Sequence, residues 1–160
     1  MRRLPEMSER RIKGRMEEFE KLCRERRVPC TRPRRLILQA ILEMNSHPTA
    51  EEVYASSPVR EGGISRATVY RTVESLEKLG AVRRIAGAGS AVRYDGRLDR
   101  HHHLVCLGCG SVLDIVDPRL DAVDAPDASS FGFAVKSIHI QMNGYCRRCL
   151  KAQRKKWKQP

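Results

Sequence analysis

Four cysteines in two C-x-x-C pairs have the spacing that points most directly to chemistry. Cys106 and Cys109 form one pair, Cys146 and Cys149 the other, and 36 residues separate the pairs. Each C-x-x-C turn brings two thiolates to one ion, and two turns complete the tetrahedral four-sulfur set that zinc prefers. This set has no open position for a substrate, so we predict a structural zinc site. A disulfide or a redox role would need an oxidising compartment or a single C-x-x-C pair.

A second group of candidate ligands precedes the first cysteine pair, in the sequence RYDGRLDRHHHLVC. Side chains two apart on a strand face the same side, so His101 and His103 can share one metal ion while His102 points away. Asp95 and Asp114 flank the histidines and could add oxygen ligands. Mixed nitrogen and oxygen ligation suits iron(II), manganese(II) or zinc. The alternative interpretation of three adjacent histidines is a solvated strand edge.

A helix predicted from Ser65 to Leu79 carries side chains that could contact DNA. Its apolar stripe faces inward and leaves Arg66, Tyr70 and Arg71 on the outer face. Arginine on the second helix of a helix-turn-helix can reach guanine edges or phosphates in the major groove. Taken alone, the pattern also fits an exposed amphipathic helix.

Further elements would position this helix. Apolar residues three or four apart predict one helix capped by Ser8 and a second that follows Thr31. The sequence T-A-E-E is a capping box and predicts a third helix that begins at Thr49. The sequence AVRRIAGAGSAVRYD predicts two short strands joined by a glycine-containing turn. Three helices and a hairpin make a winged helix, and its wing would carry three arginines, Arg83, Arg84 and Arg93.

Composition and charge limit the possible functions. The chain has 160 residues and a formal net charge of +12, which favours a polyanionic partner. The excess lies at the termini, in residues 1–35 and in the tail 147–160, where a basic segment could be simply solvated. We expect no membrane partner, because no apolar run approaches the length of a membrane helix. The charged start is unlike a signal peptide, so we expect a cytoplasmic protein.

Together these segments resemble the ferric uptake regulator family of metal-dependent repressors. The segments HPTAEEVY, ISRATVYRT, HHHLVCLGCG and CRRC occur in that family's order. The resemblance implies an α+β fold with a winged helix-turn-helix DNA-binding domain at residues 1–95 and a hinge at 96–100. Residues 101–160 would form a small α/β dimerisation domain with the structural four-cysteine zinc site and a basic tail.

Within the family, the sequence is most similar to the peroxide-sensing branch. The regulatory metal ligands of that branch match five positions, His47, Asp95, His101, His103 and Asp114. A further metal site of many members would use positions matching Arg100, His102, Asp121 and Ile138. Arginine and isoleucine cannot ligate a metal, so we expect that site to be absent or remodelled.

The resemblance implies a transcriptional repressor that senses hydrogen peroxide. Iron(II) or manganese(II) at the regulatory site would draw the N-terminal and C-terminal halves of each chain together. In a homodimer, this would set the spacing of the two recognition helices to fit a palindromic double-stranded operator. Peroxide would then oxidise His47 or His101 in the iron form and release the DNA. The alternative within the family is a sensor of iron, manganese or zinc availability.

Two other classes of protein remain as alternatives. A hydrolytic metal site would need an open coordination position beside a general acid or base, and the five ligands leave no obvious group for that role. We therefore predict neither enzymatic activity nor a small-molecule substrate. A zinc-stabilised winged helix that binds DNA constitutively is the other alternative.

Overall fold

The computed structural model describes residues 1–86 and 92–156 and divides into two compact units. The first unit is Pro5–Leu98, and the second contains Met1–Leu4 and the chain from Asp99 onward. This division differs from the predicted boundaries at both points where the chain passes from one unit to the other, after Leu4 and after Leu98. Residues 1–4 leave the first unit because their backbone pairs with a strand of the second, and residues 96–98 of the expected hinge belong to the first.

Arginine side chains explain why residues 96–98 belong to the first unit. Arg15 donates to the Gly96 carbonyl at 3.2 Å, and Arg83 donates to the Leu98 carbonyl at 2.5 Å. The buried Arg97 side chain donates to the Pro5 carbonyl at 2.7 Å. These bonds hold both ends of the first unit, where the chain enters and leaves it.

The first unit has five helices followed by a hairpin. The helices are α1 (Glu9–Glu25), α2 (Arg32–Met44), α3 (Ala50–Ala55), α4 (Ser57–Glu61) and α5 (Arg66–Lys78), and the strands are β2 (Arg83–Ala86) and β3 (Val92–Asp95). The sequence analysis missed α4, a single short turn with Pro58 near its start and one buried residue, Val59. The predicted glycine-containing turn between the strands lies outside the described residues.

Side-chain caps fix the starts of three helices. The Ser8 hydroxyl accepts from the Arg11 N–H, and the Ser65 hydroxyl accepts from the Thr68 N–H. Thr49 and Glu52 form the capping box, with each side chain bonded to the other residue's backbone. Thr31, which precedes α2, makes no side-chain cap hydrogen bond, and Pro33 in the first turn supports that start instead.

The apolar stripes of these helices meet in one core. Val69, Val73 and Leu76 of α5 are fully buried, as the helical spacing predicts. They pack in a cluster whose fully buried members also include Phe19, Ile37, Leu38, Leu42, Val53 and Val59. The core therefore fixes which face of α5 remains outside.

The second unit is built on a four-stranded sheet. Its strands are β1 (Arg2–Arg3), β4 (His102–Cys106), β5 (Val112–Val116) and β6 (Gln141–Gly144), in the order β1-β5-β4-β6. The pair β4–β6 is parallel and the other pairs are antiparallel. Two α-helices, α6 (Pro118–Asp121) and α7 (Arg147–Lys156), and a short 3-10 helix (Ser129–Phe131) also lie in the described part of this unit.

Large apolar side chains remain exposed in the second unit. Phe131 is 86% exposed and Phe133 is 64% exposed, while Val135 and Tyr145 are also exposed. Exposed apolar side chains that form a contiguous patch are typical of a surface that another molecule covers. Among the helices of the described residues, none combines the length and apolar character needed to cross a membrane.

Candidate metal centres and DNA-binding surface

The four cysteines of the two C-x-x-C pairs meet at one point in the second unit. Cys106 ends β4, Cys109 lies in the β4–β5 turn, and Cys146 and Cys149 lie at the start of α7. Their sulfur atoms all lie within 4.8 Å of one another, and Cys109 Sγ is 3.9 Å from Cys146 Sγ. A tetrahedral zinc centre with bonds of about 2.3 Å separates its sulfurs by about 3.8 Å. The four residues therefore fit a structural zinc ion.

Local hydrogen bonds shift the pKa values of these thiols in different directions. The hydroxyl and the backbone N–H of Ser111 donate to Cys109 Sγ and lower the pKa of that thiol to about 6. The Cys146 backbone N–H donates to Cys106 Sγ at 3.2 Å and lowers the pKa of Cys106. The neighbouring Cys146 sulfur raises the pKa of Cys149 to about 12. Zinc binding must therefore displace protons, which makes it weaker as the pH falls.

Gly108 allows the first C-x-x-C turn to approach the second. A Cβ atom at this position would lie 2.9 Å from both Cβ and Sγ of Cys149. Any larger residue would push the two cysteine pairs apart. Sequence analysis did not single out Gly108, because only the three-dimensional approach of α7 reveals the constraint.

Three of the expected regulatory ligands converge within the second unit. The Nε2 atoms of His101 and His103 lie 2.9 Å apart, and each is 3.4 Å from Asp114 Oδ1. His101 and His103 are buried, and the Asp114 side chain is 14% exposed. Two nitrogen ligands on neighbouring positions of an octahedral ion, with bonds of about 2.1 Å, lie about 3 Å apart. This half of the ligand set fits a divalent ion.

The backbone sets the tautomer of His101. The Asp99 carbonyl lies 2.8 Å from His101 Nδ1, and a carbonyl oxygen can only accept, so Nδ1–H is the donor. In the neutral ring this leaves the Nε2 lone pair directed toward His103 and Asp114. A metal-binding histidine is usually oriented by this kind of hydrogen bond.

The other two expected ligands lie together in the first unit. His47 Nε2 is 3.9 Å from Asp95 Oδ1, and both side chains are buried. His47 has a left-handed backbone with φ of 51°, a conformation that histidine adopts more readily than most residues. The structure therefore places two of the five expected ligands in the first unit and three in the second.

Two arginines that sequence analysis did not assign to this site hold the first pair of ligands. Arg93 Nη1 donates to the His47 carbonyl at 2.8 Å and to Glu52 at 3.1 Å. The backbone N–H of Arg97 donates to Asp95 Oδ1 at 2.7 Å. Arg93 was expected on the wing, but its side chain is only 15% exposed because it reaches back to the loop before α3. Arg83 is likewise bound to the Leu98 carbonyl rather than free on the wing.

His102 points away from His101 and His103 to a separate cluster. Its Nε2 atom is 3.2 Å from Asp121 Oδ1, and the Arg100 Nε atom is 3.4 Å from the same oxygen. A guanidinium group therefore supplies the positive charge beside this carboxylate. Arg100 and Asp121, two of the four positions that match the further metal site, therefore form an ion pair.

The candidate DNA-binding surface lies on α5 of the first unit. Arg66, Tyr70 and Arg71 are exposed, while Val69 and Val73 on the opposite side are buried. The Ser65 cap fixes where the helix begins, and Gly80, with φ of 75°, follows its end. The arrangement presents two guanidinium groups and a phenol on one face.

Comparison with known proteins identifies the family. Residues 25–143 match the model of the ferric uptake regulator family. The ferric uptake regulation protein of Brucella suis is 33% identical over 132 residues, which cover 82% of this chain and 92% of that protein. The peroxide-responsive repressor PerR of Staphylococcus epidermidis is 29% identical over 134 residues, covering 84% and 89% of the two chains.

Solved structures show the same fold. The Helicobacter pylori ferric uptake regulator, described as having three functional metal binding sites, aligns with a TM-score of 0.66 at 21% identity. The alignment covers 94% of this chain and 97% of that one. The α+β fold predicted from the sequence is thereby confirmed. This chain belongs to the ferric uptake regulator family of metal-binding, DNA-binding transcription regulators and is not an enzyme.

Proposed function

We propose that this regulator is a repressor that binds its operator when one divalent ion is held by His47, Asp95, His101, His103 and Asp114. The observation that carries this proposal is the division of these buried ligands between the two units. His47 and Asp95 form one partial set, and the remaining three residues form the other. Each partial set has fewer donors than the octahedral coordination that iron(II) or manganese(II) takes with nitrogen and oxygen ligands.

An ion shared by both partial sets would couple metal binding to the arrangement of the two units. It binds most tightly to the arrangement in which all five ligands reach it, so it shifts the population toward that arrangement. A difference in affinity of about 10⁴-fold is enough to convert a mostly inactive population to a mostly active one. The apo protein would then bind DNA weakly, which distinguishes it from a constitutive DNA-binding protein.

The second unit supplies the surface for a homodimer. Phe131, Phe133 and Val135 are exposed apolar side chains that a second copy of the chain would cover. A two-fold dimer presents two copies of α5, so its operator would be a palindromic double-stranded DNA. Zinc at the four cysteines would stabilise the unit that carries this surface.

We further propose that hydrogen peroxide inactivates the iron form. Iron(II) held by His47, Asp95, His101, His103 and Asp114 would activate peroxide beside these ligands and would be iron(II) again after the net reaction. Net transfer of one oxygen atom from peroxide to the imidazole of His47 or His101, with release of water, would remove a ligand. The alternative is a sensor of metal availability, and the 33% identity with the Brucella suis ferric uptake regulation protein favours it.

Metal-dependent DNA binding tests the repressor. The wild-type protein first enriches a DNA duplex from a random library. Its binding to that duplex is then measured with manganese(II) added and with the metal removed by a chelator. His47→Asn keeps a residue that tolerates the left-handed backbone but removes the imidazole, and it should lose the manganese response. The exposed His139 serves as the control, because His139→Ala should retain the response. Equal binding by wild type with and without metal would contradict the proposal.

Peroxide treatment separates the two kinds of sensor. Anaerobic iron(II) protein is treated with hydrogen peroxide, digested, and analysed by mass spectrometry. A peroxide sensor gains one oxygen atom on the peptide of His47 or His101 and releases DNA, whereas the manganese form remains bound. An iron form that keeps both histidines unmodified and stays on DNA would instead identify a sensor of metal availability.

A further inference from the structure

Glu51 of α3 contacts two of the side chains expected to contact DNA from α5. Its Oε2 atom lies 2.9 Å from Arg66 Nη2 and accepts a hydrogen bond from the Tyr70 hydroxyl at 3.2 Å. The Arg66 guanidinium group also lies over the Tyr70 ring, 5.9 Å from its centroid. One carboxylate therefore restricts both side chains. In sequence, Glu51 looks only like an ordinary acidic residue of a helix first turn.

Stability does not account for this cluster. The Glu51 side chain is 52% exposed and that of Arg66 is 63% exposed. Ion pairs as exposed as this contribute little to the free energy of folding. The main effect of Glu51 is therefore to fix the positions of the Arg66 and Tyr70 side chains and to offset the charge of Arg66.

The carboxylate changes what Arg66 can bind. A free guanidinium group on a recognition helix binds any DNA phosphate, whatever the sequence. With Glu51 beside it, the charge of Arg66 is offset, and the carboxylate repels a phosphate that approaches the pair. Guanine offers acceptor atoms to a guanidinium group without a full negative charge, and cytosine offers an amino group to a carboxylate. The pair is therefore better suited to base edges than to phosphates.

The surroundings of Tyr70 have the same mixed charge. Glu51 and Glu74 both line an open groove beside Tyr70, together with Arg84. Arg84 is itself paired with Glu77 at 3.5 Å. Residues 36–95, which include α5, contain equal numbers of acidic and basic residues, so the basic excess of the first unit lies mainly in residues 5–35 and not around α5. Selectivity then depends on how the individual charges are paired.

We propose that Glu51 is a specificity-determining residue that positions Arg66 and Tyr70 for base contacts and weakens their contacts with phosphates. This inference rests on the proposed DNA-binding role of α5. Removal of the Glu51 charge frees Arg66 to bind phosphates. Binding to unrelated DNA therefore becomes tighter, and its dependence on salt steepens by about one phosphate contact.

The test compares Glu51→Gln with the wild type and with Glu17→Gln, which removes the same charge from an exposed position of α1. The wild-type protein with manganese(II) first enriches a duplex from a random library. Affinities for that duplex and for a scrambled duplex are then measured over a series of salt concentrations. Glu51→Gln should lower the ratio of the two affinities at least about fivefold, and Glu17→Gln should leave the ratio unchanged.

A double-mutant cycle shows whether the effect passes through Arg66. In an Arg66→Gln background, Glu51→Gln should produce no further loss of selectivity. An equal effect of Glu51→Gln and Glu17→Gln, or an unchanged effect without Arg66, overturns the role of Glu51 while the wild type still selects a sequence. A wild-type protein that enriches no sequence at all overturns the proposed function and this inference together.

Discussion

The two units of this regulator are stabilised in different ways. The first packs five helices around a continuous core of buried aliphatic side chains and Phe19. The second buries few large apolar residues, among them Val105, Val112 and Ile115, and exposes Phe131 and Phe133. In place of an extensive core it has four cysteines gathered at one point.

The difference in core size indicates that the two units depend on different sources of stability. A unit with a large core holds α5 rigidly and needs no ligand to fold. A unit with a small core depends on a metal, a partner or both for its stability. The proposed homodimer would supply the partner, and zinc would supply the metal. Three of the five proposed regulatory ligands thus lie in the unit that also carries the four cysteines.

Loss of the structural zinc should have the largest effect and fall on the second unit alone. Cys106→Ser removes a buried ligand, and structural zinc binding contributes on the order of 10 kcal/mol to folding of such sites. We expect zinc to fall from one ion per chain toward none, with loss of the unfolding transition of the second unit. Elemental analysis measures the zinc content, and thermal circular dichroism measures the unfolding transition.

Cys30→Ser is the matched control, because Cys30 belongs to the first unit and lies outside the four-cysteine cluster. It should keep the zinc. A Cys106→Ser protein that unfolds as one whole, or that keeps its zinc, would break the distinction between the units.

Truncation of the core should destabilise the first unit with no loss of zinc. Leu38→Ala removes a fully buried side chain of α2, which typically costs about 2–5 kcal/mol. Leu107→Ala, at a residue that is 50% exposed, should change stability by much less. Chemical denaturation followed by circular dichroism, together with zinc content, compares the two. Similar effects of both substitutions would argue against a packed core as the source of stability.

The smallest effect should come from helix caps. Thr49→Ala removes the hydroxyl that accepts the Glu52 N–H and should cost about 1 kcal/mol. Thr31→Ala offers a control, because Thr31 makes no side-chain cap bond and its loss should be close to neutral. The difference between the free energies of unfolding of the two variants measures how much the Thr49 cap stabilises the first unit.

Local patterns predicted much of the fold. The helical spacing of Val69, Val73 and Leu76 identifies the buried face of α5, and the sequence T-A-E-E identifies the capping box. The spacing of the four cysteines predicts the ligand set of a zinc site. The brief α4 and the strand β1 were missed, because each is too short to show a periodic pattern.

Long-range contacts could not be predicted in this way. The roles of Arg93 and Arg97 depend on carbonyl groups more than 40 residues away in sequence, at His47 and Pro5. Gly108 is constrained by Cys149, and Glu51 by side chains of α5. These contacts arise from tertiary packing, which neither composition nor periodicity contains.

The central claim is that both units contribute ligands to one regulatory ion. Equilibrium dialysis of manganese(II) against zinc-loaded wild type, His47→Asn and Asp114→Asn tests it most directly. Substitutions in the outer shell of a metal site already weaken binding about 10- to 100-fold, so loss of a ligand from either unit should weaken it by at least about 100-fold. We expect one ion per wild-type chain and this loss in both variants. Wild-type affinity in His47→Asn would contradict it, because the ion would then be held by the second unit alone.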